Sequence, residues 1–173
     1  GSVFVNNGYP ALTRPRANWC IKFYPATATL ALAGWNMVSV GVTPYPNALK
    51  TTQYPTATTD AFTYQGGYHA LAGANLTNGV GMWAKFRGSE VVGAHGPLLG
   101  STTTNFPAAV SSSWNMVGTP GRWSVPVASI TATGGGSTVS QYFAFTQTGY
   151  VAQTTTLLPG QGYWIKTAGS GTL

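Results

Sequence analysis

The chain has 173 residues and a formal net charge of +6, with 43% hydrophobic residues but only 6% charged ones. That hydrophobic fraction excludes a compositionally disordered polymer, and the length holds one domain of ordinary size or two small ones. Eight Lys and Arg face only two acids, Asp60 and Glu90, so the positive balance reflects missing acids and argues against the clustered basic surface that nucleic acid requires.

Weak attraction to anionic glycans or a cell envelope is the partner class this charge supports best. Solubility must come from Thr, Ser, Asn, Gln and Gly, since an ordinary globular chain carries about 25% charged residues. Thr, Val and aromatic side chains fit a pleated surface, so the composition favours β-structure. Cys20 is the only cysteine, which rules out a disulfide within the chain. No run of about 20 apolar residues offers a membrane-spanning helix, so no membrane span is expected.

In chain order, the first string is Phe4-Val5-Asn6-Asn7-Gly8-Tyr9, followed by Leu12-Thr13 and then Trp19-Cys20-Ile21-Lys22. Trp35 to Val42 is a mostly apolar, β-forming run, long enough for a strand and too short for a stable helix. Pro46 to Lys50 leaves room for one helical turn. Gln65-Gly66-Gly67, between aromatic runs, reads as a hairpin turn that needs positive φ. Leu76 then leads through Asn78-Gly79 to Met82-Trp83-Ala84-Lys85.

The same order then recurs. Trp35-Asn36-Met37-Val38 returns 79 residues later as Trp114-Asn115-Met116-Val117. Pro46-Asn47-Ala48-Leu49 answers to Pro126-Val127-Ala128-Ser129-Ile130, and Gly134-Gly135-Gly136 reads as a hairpin tip or loop. Phe62 to Tyr68 answers to Phe145 to Tyr150, and Leu76 to Lys85 answers to Leu158 to Lys166. Such self-similarity marks a duplicated module of about 80 residues. The opening strings match the later half of that module.

The chain therefore divides into an incomplete module over 1–25, a first full module over 26–105 and a second over 106–173, either separate or sharing one core. Its ends fall out of phase with the repeat, as expected of a piece of a longer array; permuted ends are the alternative. Short strands with such turn punctuation predict an all-β fold of two tandem small sandwich-like or barrel-like modules plus the N-terminal half module.

Gly34-Trp35-Asn36-Met37-Val38-Ser39 and Leu158-Pro159-Gly160-Gln161-Gly162-Tyr163-Trp164-Ile165-Lys166 resemble the "GWNLVS…PGxGYWVK"-type β modules of secreted and surface-layer-type bacterial and archaeal proteins. The resemblance covers two copies and a half. The first copy departs from it, with Val80-Gly81-Met82-Trp83 at the Gly-Tyr-Trp core, and the half copy carries Arg14-Pro15-Arg16-Ala17-Asn18 where the turn glycines belong. The resemblance implies a β-fold and an extracellular location, and it assigns no catalytic residues.

Trp83 and Lys85, like Trp164 and Lys166, stand two apart in predicted strands and so share one sheet face. Met82, Ala84 and Phe86 then share the opposite face, as do Tyr163 and Ile165. Two readings follow. In one, Tyr163 and Ile165 build the core while Lys166 lies over Trp164. In the other, the pairs form a solvent-facing platform for a ligand or a neighbouring module, joined by Trp19 and Lys22, whose spacing calls for a bulge. Trp35, Trp114, Tyr68, Tyr150 and Tyr163 are expected in the repeat core.

Catalysis is poorly supplied. Asp60 and Glu90 sit at non-equivalent places in one copy, whereas glycosidases set two carboxylates about one bond. His69 and His95 have no partner fixed by spacing, and no Gly-x-Ser-x-Gly elbow occurs. Neither metal-ligand spacing nor an acidic calcium loop appears, so neither cofactor nor metal is expected. Cys20 reads as a small apolar strand residue, and Asn75-Leu76-Thr77 as a chance glycosylation sequon. The expectation is a non-enzymatic extracellular structural or cell-surface protein that self-associates by β-strand complementation, or alternatively a carbohydrate-binding or adhesion module using exposed Trp and Tyr.

Overall fold

The computed structural model describes residues 29–42, 49–93 and 108–173. The fold over these residues is mostly β, in several small antiparallel sheets. The first copy runs β1 (Thr29–Ala31), β2 (Gly34–Ser39), α1 (Lys50–Gln53), β3 (Phe62–Tyr64), β4 (Tyr68–Ala70), β5 (Gly81–Phe86) and β6 (Glu90–Val92). The second runs β7 (Ala109–Val110), β8 (Ser113–Gly118), β9 (Val125–Pro126), a 3-10 turn over Val127–Ser129, then β10 (Tyr142–Thr146) and β11 (Gly149–Gln153). It closes with β12 (Thr156–Leu157), β13 (Gly162–Thr167) and β14 (Gly171–Thr172). Among the described residues no helix is long and apolar enough to cross a membrane.

Each copy builds one four-stranded sheet, β2-β5-β3-β4 in the first and β8-β13-β10-β11 in the second. Small sheets, β1-β6 and its counterpart β7-β14, close the outer side of each. The strand predicted over Trp35 to Val42 ends at Ser39, although Val40 and Val42 are fully buried beyond it. The helical turn expected over Pro46 to Lys50 forms as α1, which begins at the last residue of that span.

Strand register corrects two landmark pairings. Phe62 pairs with Trp83 and Phe143 with Trp164, so Phe62 corresponds to Phe143, two residues before Phe145. A slip of two keeps a residue on the same sheet face, which is why both alignments look alike in sequence. Leu76 corresponds to Leu157, since both are buried while Leu158 is exposed. Pro46 lies outside the described residues.

With this register the inner faces of the two sheets carry the same three rows of side chains. The first row is Trp35 opposite Lys85, matched by Trp114 opposite Lys166. The second is Met37, Trp83, Phe62 and Ala70, matched by Met116, Trp164, Phe143 and Ala152. In the third, Ser39 and Gly81 match Gly118 and Gly162, while Tyr64 and Tyr68 match Phe145 and Tyr150.

The copies meet through these rows. Val38 bridges Gln161 while Val80 bridges Val117, and Ser39 N–H donates to Gly160 O at 2.9 Å while Gly118 N–H donates to Gly79 O at 3.0 Å. Reciprocity of this kind is what an approximate two-fold axis produces. Glycine is required at the crossing. A Cβ on Gly81 would lie 2.6 Å from Val117 O, one on Gly162 would lie 2.9 Å from Val38 O, and one on Gly118 would overlap the Ser39 side chain.

Packing falls into three clusters. Val38, Met82, Ala84 and Phe86 join Tyr54 and Leu76 in the core of the first copy. Val117, Tyr163 and Ile165 join Tyr142 and Leu157 in the second. Met37, Trp83, Met116 and Trp164 form a third cluster between the sheets, flanked by Phe62, Tyr64, Phe143 and Phe145. Strands β5 and β13 are thus covered on both faces, which explains their unbroken apolar runs.

The repeated Asn closes the turn before each long strand. Asn36 accepts from Leu32 N–H at 2.9 Å and donates to Leu32 O and Gly34 O; Asn115 makes the same bonds with Ser111 and Ser113. That turn needs positive φ, which Gly34 takes at 97° and Ser113 at 91°. A side chain there is strained by about 1–2 kcal/mol, partly offset by the extra freedom glycine has when unfolded. Ser113→Gly is therefore expected to stabilise the protein by about 0.5–1 kcal/mol in urea unfolding.

Burial pushes the phenols of Tyr142 and Tyr163 up to about 12, the hydrogen bond from Leu158 N–H to Tyr163 Oη pulling the latter the other way. Unfolded tyrosines ionise near 10, so folding favours the protonated phenols. Their contribution is fully present below about pH 10 and is lost as pH rises towards 12. Unfolding followed by circular dichroism should show stability falling across that window, with tyrosinate absorbance developing late.

Candidate functional site

The aromatic side chains between the sheets do not fill all the space there. The β3–β4 hairpin contributes Tyr64 and Tyr68, the β10–β11 hairpin Phe143 and Tyr150, and Trp164 lies between them. Tyr64, Trp114, Phe143, Tyr150 and Trp164 line an open cleft of about 390 Å³.

Its rings meet edge to face. Tyr64 stands 5.1 Å from Trp164 at 74°, and Trp114 stands 6.2 Å from Trp164 at 84°. Tyr68 reaches the same indole at 6.4 Å. Across the two-fold, Phe145 stands 4.8 Å from Trp83, as Tyr64 does from Trp164. Each such pair is worth about 0.5–1.5 kcal/mol beyond its buried area. The cleft is therefore built on a stiff aromatic base.

The predicted platform residues separate by depth. Trp83 and Trp164 are only 9% exposed and belong to the cluster between the sheets, while Lys85 and Lys166 project to solvent. A fully solvent-facing Trp–Lys pair is not what forms, because the opposite sheet covers both indoles. The cation also meets its ring across strands instead of along one: Lys85 Nζ sits 5.9 Å from the centre of Trp35. Lys166 is opposite Trp114 in the same way. Trp19 and Lys22, with Cys20 and His95, lie outside the described residues.

The expected repeat core needs correction at four positions. Tyr163 is fully buried, but Trp35 is 43% exposed, Trp114 37%, Tyr68 59% and Tyr150 55%. Trp35 and Trp114 share the inner face with Met37 and Met116 yet stand in the outermost row, where part of each ring stays exposed. Tyr68 and Tyr150 lie on the edge strands β4 and β11. Tyr64 and Phe143 were not singled out in the sequence; the alternation Phe62-Thr63-Tyr64 and Phe143-Ala144-Phe145 is the signal that places them on one face.

The ionisable groups do not gather. Asp60 is exposed ahead of β3, Glu90 lies in β6 opposite Ala31, and His69 Nε2 sits 3.3 Å from Gln65 O on an exposed hairpin. Among the described residues no group of three His, Cys, Asp or Glu is placed to hold a metal ion. No family model matches the chain, and neither does any curated protein or solved structure.

The depth difference between the two indoles of the cleft is measurable. Trp164→Ala should cost about 3–5 kcal/mol by opening a hole between the sheets. Trp114→Ala should cost about 1–2 kcal/mol, since the residue is already 37% exposed. Equilibrium urea unfolding of the two variants checks the order.

Proposed function

We propose that this chain is a non-enzymatic structural protein of an extracellular or cell surface, associating with further copies by β-strand addition. The observation that carries the reading is β11. Among the described residues it is paired on one side only, with β10, and its sequence Gly149-Tyr150-Val151-Ala152-Gln153 has neither charge nor proline. Tyr150 and Val151 are exposed along it. Edge strands that must stay single are blunted by Lys, Pro or a bulge, and β11 has none of the first two. An added strand satisfies the unpaired main chain and covers those side chains.

Two further features support the reading. Peptide-level contact between the sheets makes the two copies a stiff block suited to stacking. A surface of Thr, Ser, Asn and Gly with few charges suits an extracellular setting, and the scattered carboxylates give little basis for acid–base catalysis. The aromatic cleft favours a second reading, a carbohydrate-binding or adhesion module.

Sedimentation velocity over a concentration series tests strand addition. The expected result is concentration-dependent oligomers that Val151→Lys abolishes while the circular dichroism spectrum is kept. Monomers alone at the highest concentration would overturn the reading.

A further inference from the structure

We propose that the aromatic cleft is a binding site for an acidic glycan, a pyranose ring that stacks on Trp114 with its carboxylate on Lys166 Nζ. This rests on the adhesive reading, and Tyr150 is the one cleft residue that also lies on the edge strand β11.

The shape and chemistry of the cleft select the ligand. A volume of about 390 Å³ lies at the small end of ligand sites, which run from about 300 to 1,000 Å³. The cleft is open and lined by five aromatic side chains. A sugar ring matches that layout, with apolar C–H groups on its faces and hydroxyls round its edge. The indole of Trp114 is partly exposed and therefore accessible for stacking. The hydroxyls of Tyr64 and Tyr150 make no hydrogen bond to another described residue and are free to meet sugar hydroxyls.

Charge adds the carboxylate. Lys166 shares the inner face with Trp164, is exposed, and pairs directly opposite Trp114, a residue that lines the cleft. It forms neither an ion pair nor a cation–π contact with any described residue. No acid lines the cleft to repel an anion. A charge-assisted hydrogen bond to an uncommitted ammonium is the strongest single polar contact this face can offer.

The two-fold supplies an internal control. At the equivalent place on the first sheet, Phe145 replaces Tyr64 and so lacks the hydroxyl, and the Lys85 ammonium already sits over Trp35. The same row of residues is present there, but the two groups that would read a sugar acid are missing or engaged. Binding is expected at one of the two related faces only.

The test is calorimetry and Trp fluorescence on the full chain with an oligouronate, beside a neutral β-linked oligoglucoside of the same length. The oligouronate should bind, and Lys166→Gln should weaken it about tenfold, the loss of one charge-assisted contact. Lys85→Gln should leave it unchanged. Trp114→Ala should abolish it, with folding confirmed by circular dichroism; Tyr64→Phe, which preserves packing, should weaken it by a smaller factor. Equal binding of both oligosaccharides with no effect of Lys166→Gln would overturn the carboxylate contact and leave the adhesive reading standing. Binding of neither would overturn the site and that reading together. Loss of oligomers in Trp114→Ala without any glycan binding would assign the cleft to a second copy of the chain and overturn the proposal.

Discussion

Two sheets can bond main chain to main chain only where no side chain stands between them. Gly81, Gly118 and Gly162 meet that condition, with Ser39 as the one small side chain in their row, and the remainder of the inner faces is shaped by it. At this row the separation is that of hydrogen-bonded peptides, fixed by the bonds from Ser39 N–H and Gly118 N–H. One row along, the gap admits Met37, Trp83, Met116 and Trp164, which are buried against each other. At the outermost row it admits Trp35 and Trp114, and solvent enters with them. Tryptophan exposure accordingly rises from 9% at Trp83 and Trp164 to 43% at Trp35 and 37% at Trp114, and the cleft runs from Trp114 past Trp164 and Phe143 to Tyr150.

The same arrangement decides which tryptophan does what. Trp83 and Trp164 sit in the middle row, where each indole meets an aromatic ring from the other sheet, Phe145 and Tyr64 respectively. Removing either leaves a hole that neither sheet can close without breaking the glycine contacts. Trp35 and Trp114 pack against their own sheets, Trp35 on Phe62 and Trp114 on Phe143, and so leave part of each ring free. The two positions differ by one row of the same face, yet one is buried between the copies and the other is partly exposed.

The β character and the duplication were legible in the sequence, because a string such as Trp-Asn-Met-Val recurs intact and turn glycines punctuate short apolar runs. The placement of Met82, Ala84 and Phe86 on the face opposite Trp83 and Lys85 followed from the two-residue period of a strand. What did not follow was that both faces of β5 and β13 are covered. Periodicity identifies faces but cannot say how many of them find a partner, so Trp35 and Trp114 read as core when they are rim. The Asn of the repeat was also opaque: its amide spans a turn, and that role depends on the backbone at Gly34 and Ser113. The cleft was hidden for a further reason. Tyr64 and Phe143 come from different copies and meet only through the two-fold.

The two copies are alike where they pack and unlike where they face solvent, and the differences gather on one side. Strand β11 has five residues against three in β4, Tyr64 carries a hydroxyl where its counterpart Phe145 has none, and Lys166 is uncommitted where Lys85 is not. The longer edge belongs to the second sheet, which also supplies four of the five cleft residues, and edge and cleft share Tyr150. A strand added to β11 would continue the inner face beyond Tyr150 and Ala152, laying further side chains along the wall of the cleft. Assembly and ligand binding would then act on one strand, and whatever one does to the other's affinity must be returned in equal measure. Duplication gave the molecule a symmetric joint, and the loss of symmetry outside that joint gives it a side on which to work.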